Sequence, residues 1–291
     1  MQKLIITGVD RVVGANLAAV LSGDFAVTAV SPIQSTVAGC HSVACDLEAT
    51  LSVQQMIATS EADVIVHCGA FAESSWMDCD FAGEKRIVTN LRAAAEKFDA
   101  KLVLVSTDGI YRGPWLFHPE NSECTASSRF AKQAAICEAI VSELESSLVL
   151  RTHVIGWAPD GSGVLETMLD QLEEGTEFRF GHYATPIGAS RFASVVRSAL
   201  ACDLTGTFNV GGAERTSPYG FGCALSTGFD LASPDSVESD THDETSLSCT
   251  EIRQALGIAM PTLSETVDEL VLEFDERIAA FEGHGVLAAA A

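Results

Sequence analysis

Lys3-Leu4-Ile5-Ile6-Thr7-Gly8-Val9-Asp10-Arg11-Val12-Val13-Gly14 begins with a short apolar run, passes through a glycine turn and enters an apolar stretch at helical spacing. A strand that feeds a glycine turn into a helix places unpaired N–H groups and the positive end of the helix dipole where a pyrophosphate can sit. Glycine belongs there because a side chain would obstruct the tight turn, the approach of backbone to phosphate and the packing of helix on strand. Two of the three glycines of the pattern T-G-x-x-G-x-x-G are present, Gly8 and Gly14, and Arg11 holds the middle position. Its guanidinium either pairs with the phosphates or crowds the site. At the end of the next apolar run, Ser31-Pro32 offers neither an acidic residue for a ribose 2′-hydroxyl nor a base for a 2′-phosphate, so NAD and NADP stay open.

Outward from that stretch, short apolar runs alternate with helical ones. Ala26–Val30, Val64–His67, Leu102–Ser106 and Leu148–Arg151 read as strands, while Val12–Leu21, Leu51–Ala58, Arg86–Lys97 and Ala131–Leu144 read as helices. The strands are continuously apolar rather than alternating, as in a parallel sheet covered on both faces. The expected fold is α/β, a doubly wound parallel sheet over residues 1–151. After Arg151 the pattern loosens into a smaller lobe, 152–291, with the chain free to cross back between the two. Helices are expected over Val164–Leu172 and Ala193–Leu200 and from about Ser217, and strands near Phe178 and over Thr207–Val210. Asp230–Ser248, rich in Ser, Asp and Glu, reads as loop. Thr262-Leu263-Ser264-Glu265 has the form of a capping box, and Val267, Leu270, Val271, Phe274, Ile278 and Phe281 form a helical stripe that packs on the domain. Ala288–Ala291 is too weakly patterned to interpret.

Composition narrows the function classes. Among 291 residues, 17 are basic and 40 acidic, a formal charge of −23 that opposes nonspecific binding to nucleic acid or an anionic membrane. No run reaches the roughly 20 apolar residues of a membrane span, and the first residues lack signal-peptide anatomy, so a cytoplasmic protein is expected. The nine cysteines are scattered without a C-x-x-C and read as reduced thiols, mostly buried. The seven histidines have no metal-ligand spacing, and no metal is expected.

Further landmarks give the chain a family resemblance. Cys45-Asp46-Leu47, His67-Cys68-Gly69-Ala70, Asn90 and Ser106-Thr107-Asp108-Gly109-Ile110-Tyr111-Arg112-Gly113 are similar, in order and spacing, to segments of the extended short-chain dehydrogenase/reductases. Leu150-Arg151-Thr152, Gly156-Trp157, Pro186-Ile187, Gly206 to Gly212, Thr245 to Ser248 and Leu256-Gly257 extend the likeness to the dTDP-4-dehydrorhamnose reductases over most of the chain. The resemblance implies NADP or NAD as cofactor, with Gly8, Arg11, Val12, Val13 and Gly14 at the pyrophosphate. It places Asp46 and Leu47 at the adenine, Cys68, Gly69 and Ala70 under the ribose, and Asn90 on a supporting helix. A nucleotide sugar is the implied substrate, dTDP-rhamnose synthesis the implied context, and a homo-oligomer an open possibility.

The chemistry implied by the resemblance is hydride transfer to a sugar C4 keto group. A tyrosine supplies the proton, a lysine four residues later lowers its pKa, and a Ser or Thr hydroxyl steadies the carbonyl. Lys132 matches the lysine and Thr107 the hydroxyl, but Ser128 stands at the tyrosine position. An aliphatic hydroxyl is a far weaker acid than a phenol and stays closer to the backbone. Ser128 therefore reads either as a weak substitute or as an ordinary helix cap, with Tyr111 and Tyr183 as other possible donors. Arg179, Arg191 and Arg215 are possible phosphate partners in the smaller lobe. The rival to an oxidoreductase is a non-catalytic nucleotide-binding or regulatory subunit of the same fold.

Overall fold

The computed structural model describes residues 1–77 and 79–283, excepting the side chains of 240, 241 and 277–283. Seven parallel strands form one sheet, in the order β10 (Gly206–Val210), β6 (Leu148–Thr152), β5 (Lys101–Thr107), β4 (Val64–His67), β1 (Lys3–Thr7), β2 (Ala26–Ser31) and β3 (His41–Ala44). The order reverses at β1, with β2 on one side and β4 on the other, so the crevice beyond Thr7 is the switch point where such folds bind ligands.

Successive residues of the central strands are buried, Leu4 to Ile6, Val64 to Val66 and Leu102 to Val105 among them, which requires cover on both faces. Helices α2 (Thr50–Ser60), α3 (Glu84–Phe98) and α4 (Arg129–Val141) pack side by side in one layer, and α1 (Val12–Leu21) packs against α6 (Ala189–Ala201). Both α6 and β10 come from beyond residue 151, so the chain returns to the large sheet after leaving it.

The smaller lobe has its own core, in which Trp157, Leu165, Phe178, Phe221 and Leu270 meet. It contains α5 (Val164–Glu174), α7 (Pro218–Gly228) and part of α9 (Leu263–Gly283), with α8 (Thr250–Leu256) against β10. Two-residue strands β7 (Val154–Ile155) and β9 (Ile187–Gly188) pair at the junction. The capping box forms as expected, Thr262 N donating to Glu265 Oε2 at 2.8 Å and Glu265 N to Thr262 Oγ1 at 3.2 Å. Val267 and Leu270 of the stripe are buried and Phe274 stacks on Trp157; the side chains of Ile278 and Phe281 and the tail 288–291 lie outside the described residues.

Two expectations are overturned: four of the nine cysteines, not most of them, are buried, and the expected loop holds a strand. Within Asp230–Ser248, residues Ser236–Glu244 form strand β11, parallel to β8 (Phe178–Tyr183), with an irregularity between Glu238 and Asp243. Polar composition hides this strand because backbone pairing and ion pairs hold it: Glu244 accepts from Arg215 Nε at 2.6 Å, and Asp243 is ion-paired with Arg112, Nε to Oδ1 at 2.7 Å. Strand β3 was also unmarked in the sequence, being four residues of mixed polarity at the sheet edge.

Candidate active site

The turn from β1 to α1 is built for close approach of backbone. Gly8 has φ +76°, and a Cβ there would lie 1.8 Å from the Cys68 carbonyl oxygen; a Cβ at Gly14 would lie 2.2 Å from that of Gly8. Arg11 caps α1 by backbone position alone, its N–H donating to Gly8 O at 3.0 Å. In front of this helix start is a cavity of about 240 Å³ lined by Arg11, Val12, Val13 and Ser74 together with four carboxylates, Asp10, Glu73, Asp80 and Asp160. The Val12 N–H, the first of α1, favours the charged form of Glu73. Its Oε1 is buried and has no partner among the described residues. Burial pushes the Glu73 carboxyl up to about 7; Arg11 opposes that rise, and Asp10 and Asp160 add to it. The glycine turn thus fits a dinucleotide pyrophosphate, while the surrounding charge fits one only once Glu73 is protonated or displaced.

Behind the turn, Thr7 Oγ1 meets His67 Nδ1 at 2.6 Å and His67 Nε2 meets Glu84 Oε1 at 2.7 Å, all three groups buried. Burial would raise the Glu84 carboxyl, but His67 and the Ala70 N–H outweigh it and hold Glu84 below its ordinary value. A Cβ at Gly69 would sit 1.7 Å from Glu84 Oε1, so this glycine makes room for the carboxylate. Cys68 and Ala70 are buried, and burial pushes the Cys68 thiol far up. Asp46 is exposed and its Oδ1 accepts from Glu48 N at 2.9 Å; Leu47 is buried beneath it. Asn90 is spent on this loop, donating to Leu47 O and Glu48 O and accepting from Thr50 Oγ1.

A second cavity, of about 350 Å³, opens between the lobes and is lined by Ser75, Tyr183, Ser128, Phe130 and Thr245 among others. Of the three residues assigned to chemistry from the sequence, only Ser128 reaches it, and its Oγ caps α4 by accepting from Ala131 N at 3.0 Å. Thr107 is wholly buried, accepting from Gly109 N and donating to Asp108 Oδ1, and Lys132 is exposed. Tyr111 lines the cavity with its ring buried against His118; its hydroxyl accepts from Arg151 and donates to Pro119 O, and burial pushes it up to about 12. The arginines of the smaller lobe go to separate places: Arg215 lies 3.5 Å over the Tyr183 ring, Arg191 pairs with Glu269, and Arg179 is exposed on β8.

A buried polar group between the two cavities was not singled out from the sequence. His153, one residue past β6, meets Ser74 Oγ through Nε2 at 2.8 Å, and meets Ser75 Oγ at 3.2 Å and Asp108 Oδ2 at 3.0 Å through Nδ1. Thr245 Oγ1 donates to the same Asp108 oxygen at 2.5 Å, and the Trp76 ring packs edge-on to the imidazole. The available signal was His153 directly after Leu150-Arg151-Thr152 and Asp108 inside the Ser-Thr-Asp segment.

A doubly wound sheet, a glycine turn at its switch point and a second lobe bounding a cavity beside it define a protein of the dinucleotide-binding fold class with a second, smaller lobe. The chain belongs to the RmlD substrate binding domain family, whose model matches residues 1–275. It is similar in structure to a hypothetical dTDP-4-dehydrorhamnose reductase from Sulfolobus tokodaii (TM-score 0.76, 23% identity, covering 90% of this chain and 97% of that one). It is also similar to the dTDP-4-dehydrorhamnose reductase of Bacillus anthracis in complex with NADP (0.80, 18%, 94% and 99%) and to WbmH of Bordetella bronchiseptica in complex with NAD+ (0.78, 20%, 95% and 99%). No curated protein matches the sequence. Among the described residues no helix is long and apolar enough to cross a membrane, and no group of three His, Cys, Asp or Glu side chains could hold a metal.

Proposed function

We propose that the protein is a nicotinamide-dependent reductase of a nucleotide-activated 4-keto-6-deoxysugar, of the kind that serves dTDP-rhamnose synthesis in the cytoplasm. The observation that carries this reading is the meeting of two cavities: the one at the α1 start and the one between the lobes share Met77 and Cys79 in their walls. A dinucleotide in the first and a sugar nucleotide in the second would come together there. Gly8, Arg11, Val12, Val13 and Gly14 would hold the pyrophosphate, Asp46, Leu47, Cys68, Gly69 and Ala70 the adenosine side with Asn90 bracing the loop, and Lys132 the nicotinamide ribose. NADP or NAD, when bound, supplies the hydride. Thr107 orders the loop after β5 through Gly109, and Ser128 holds the start of α4 at the cavity wall.

A second reading, a non-catalytic nucleotide-binding or regulatory subunit, is favoured by two observations: Ser128 Oγ is engaged as a helix cap, and the Glu73 carboxylate lines the cavity at the α1 start. Calorimetry with NADPH and NADH, followed by turnover of dTDP-4-dehydrorhamnose, separates the two. The reductase reading expects binding and NADPH oxidation. Arg11→Gly should weaken binding if the guanidinium grips phosphate and tighten it if the side chain obstructs. Ser128→Tyr should raise turnover, by up to the roughly 10²–10⁴-fold that a placed proton donor contributes. Binding without oxidation by either protein gives the regulatory reading.

A further inference from the structure

If the sugar's keto group is reduced in the cavity between the lobes, its oxygen needs a proton, and no phenol stands at position 128. Resting on that reductase reading, we infer that Ser75 delivers the proton and that the buried His153–Asp108 pair behind it supplies Ser75. Three observations meet in this assignment.

Ser75 is in the right place. It lines the cavity, and a methyl group at Gly109 would lie 3.4 Å from Ser75 Cβ and 3.2 Å from Thr107 Oγ1, so Ser75 flanks the loop that follows β5. Thr107 points its hydroxyl into that loop, whereas Ser75 borders open space.

The second observation is the backing of Ser75. Its Oγ lies 3.2 Å from His153 Nδ1, which is also 3.0 Å from Asp108 Oδ2. His153 and Asp108 side chains have no solvent exposure. Both groups are shut off from water, so a proton leaving Nδ1 has two acceptors in reach, Asp108 and Ser75, and of these only Ser75 borders the cavity. The other neighbours of the pair are Thr107 and Thr245, which donate to the two Asp108 oxygens, and Ser74 and the Trp76 ring, which bear on the imidazole.

The third is the fixed orientation of the ring. Ser74 Oγ lies 2.8 Å from Nε2 and Asp108 lies against Nδ1, so the ring is clamped from both nitrogens with one of them shared by the cavity-lining serine. With both nitrogens protonated, Nε2–H donates to Ser74 and Nδ1–H is shared by Asp108 and Ser75.

The step balances. As the carbonyl carbon gains hydride, the carbonyl π pair moves to oxygen, and that oxygen takes the Ser75 hydroxyl proton. Ser75 Oγ takes the Nδ1 proton, leaving His153 neutral with its remaining proton on Nε2. After the alcohol leaves, Ser75 returns a solvent proton to Nδ1 from the open cavity. Ser75 is the catalytic residue of this step, and His153 and Asp108 act through it.

The test uses the full chain with NADPH and dTDP-4-dehydrorhamnose, comparing wild type, Ser75→Ala, His153→Gln and Tyr183→Phe in single turnovers across pH. Ser75→Ala and His153→Gln should each lower the rate by about 10²–10⁴-fold, the range of a general acid, with NADPH affinity unchanged. The limb of the wild-type pH profile that requires a protonated group should vanish in His153→Gln. In cofactor-free protein labelled with ¹⁵N-histidine, the His153 Nδ1 resonance should shift in Ser75→Ala, a readout independent of turnover. If His153→Gln fails to fold, Ser75→Ala, at a partly exposed position, carries the test. Wild-type turnover that neither variant lowers, or that only Tyr183→Phe abolishes, overturns the relay and leaves the reductase reading standing. Wild type that binds NADPH and substrate without oxidising the cofactor overturns both.

Discussion

A carboxylate that is largely buried against the first N–H of a helix is held by opposing forces. For Glu73, loss of water and the neighbouring Asp10 and Asp160 favour the neutral acid, while Arg11 and the Val12 N–H favour the anion, and the first set prevails. Between the ordinary value of 4.5 and the folded value of about 7, the folded protein keeps a proton that the unfolded chain has released. Stability should therefore fall as pH rises through that window, by about 3 kcal/mol in all. Urea melts of wild type and Glu73→Gln at several pH values check this: the variant should lose most of the slope, and an unchanged slope would place its origin elsewhere. NADPH affinity should also rise as pH falls toward 6 in wild type and stay flat in Glu73→Gln, because a neutral side chain no longer competes for the α1 start. The glycine turn was legible in the sequence because Gly8 and Gly14 are required by contacts with nearby backbone. Glu73 was not, because its significance arises from a long-range approach to α1 that no local pattern records. His153 was hidden for the same reason, since its partners at 74, 75 and 108 come from two other loops.

Among the elements, the central strands were readable because burial on both faces demands continuous apolar runs. Strand β11 was not, since its residues are held by main-chain pairing with β8 and by ion pairs at its end rather than by an apolar face. Helix α4 shows what an element needs besides its pattern. Glu138 on its inner side takes Arg151 Nη2 from β6 at 2.8 Å and Ser106 Oγ from β5 at 2.5 Å, and Arg151 also reaches Tyr111 and the Glu120 carbonyl. These groups are buried, so removing one charge strands the other. Glu138→Ala should lower unfolding stability by about 3–5 kcal/mol, and replacing both Glu138 and Arg151 with apolar residues should recover part of it. Chemical denaturation of the single and double variants decides the matter; a loss below about 1 kcal/mol, the range of an exposed pair, would mean the tie is weak.

At the scale of the whole molecule, β10 is the edge strand beside β6, although α5 and β8 of the smaller lobe are made between them. The consequence falls on the order in which the protein comes into being. A nascent chain that has released only residues 1–152 exposes β6 as an open edge, with its N–H and C=O groups unpaired along one side and α1 lacking α6. Such a chain has a nearly complete sheet but an adhesive margin. Ribosome-stalled chains of increasing length should acquire protease resistance in the first sheet only after Val210 has cleared the exit tunnel, and the isolated fragment 1–152 should associate in size-exclusion chromatography. A monomeric, resistant fragment would show that β6 closes the sheet unaided. Otherwise the gene cannot be cut at the seam between its lobes, because the last strand of the first is written inside the second.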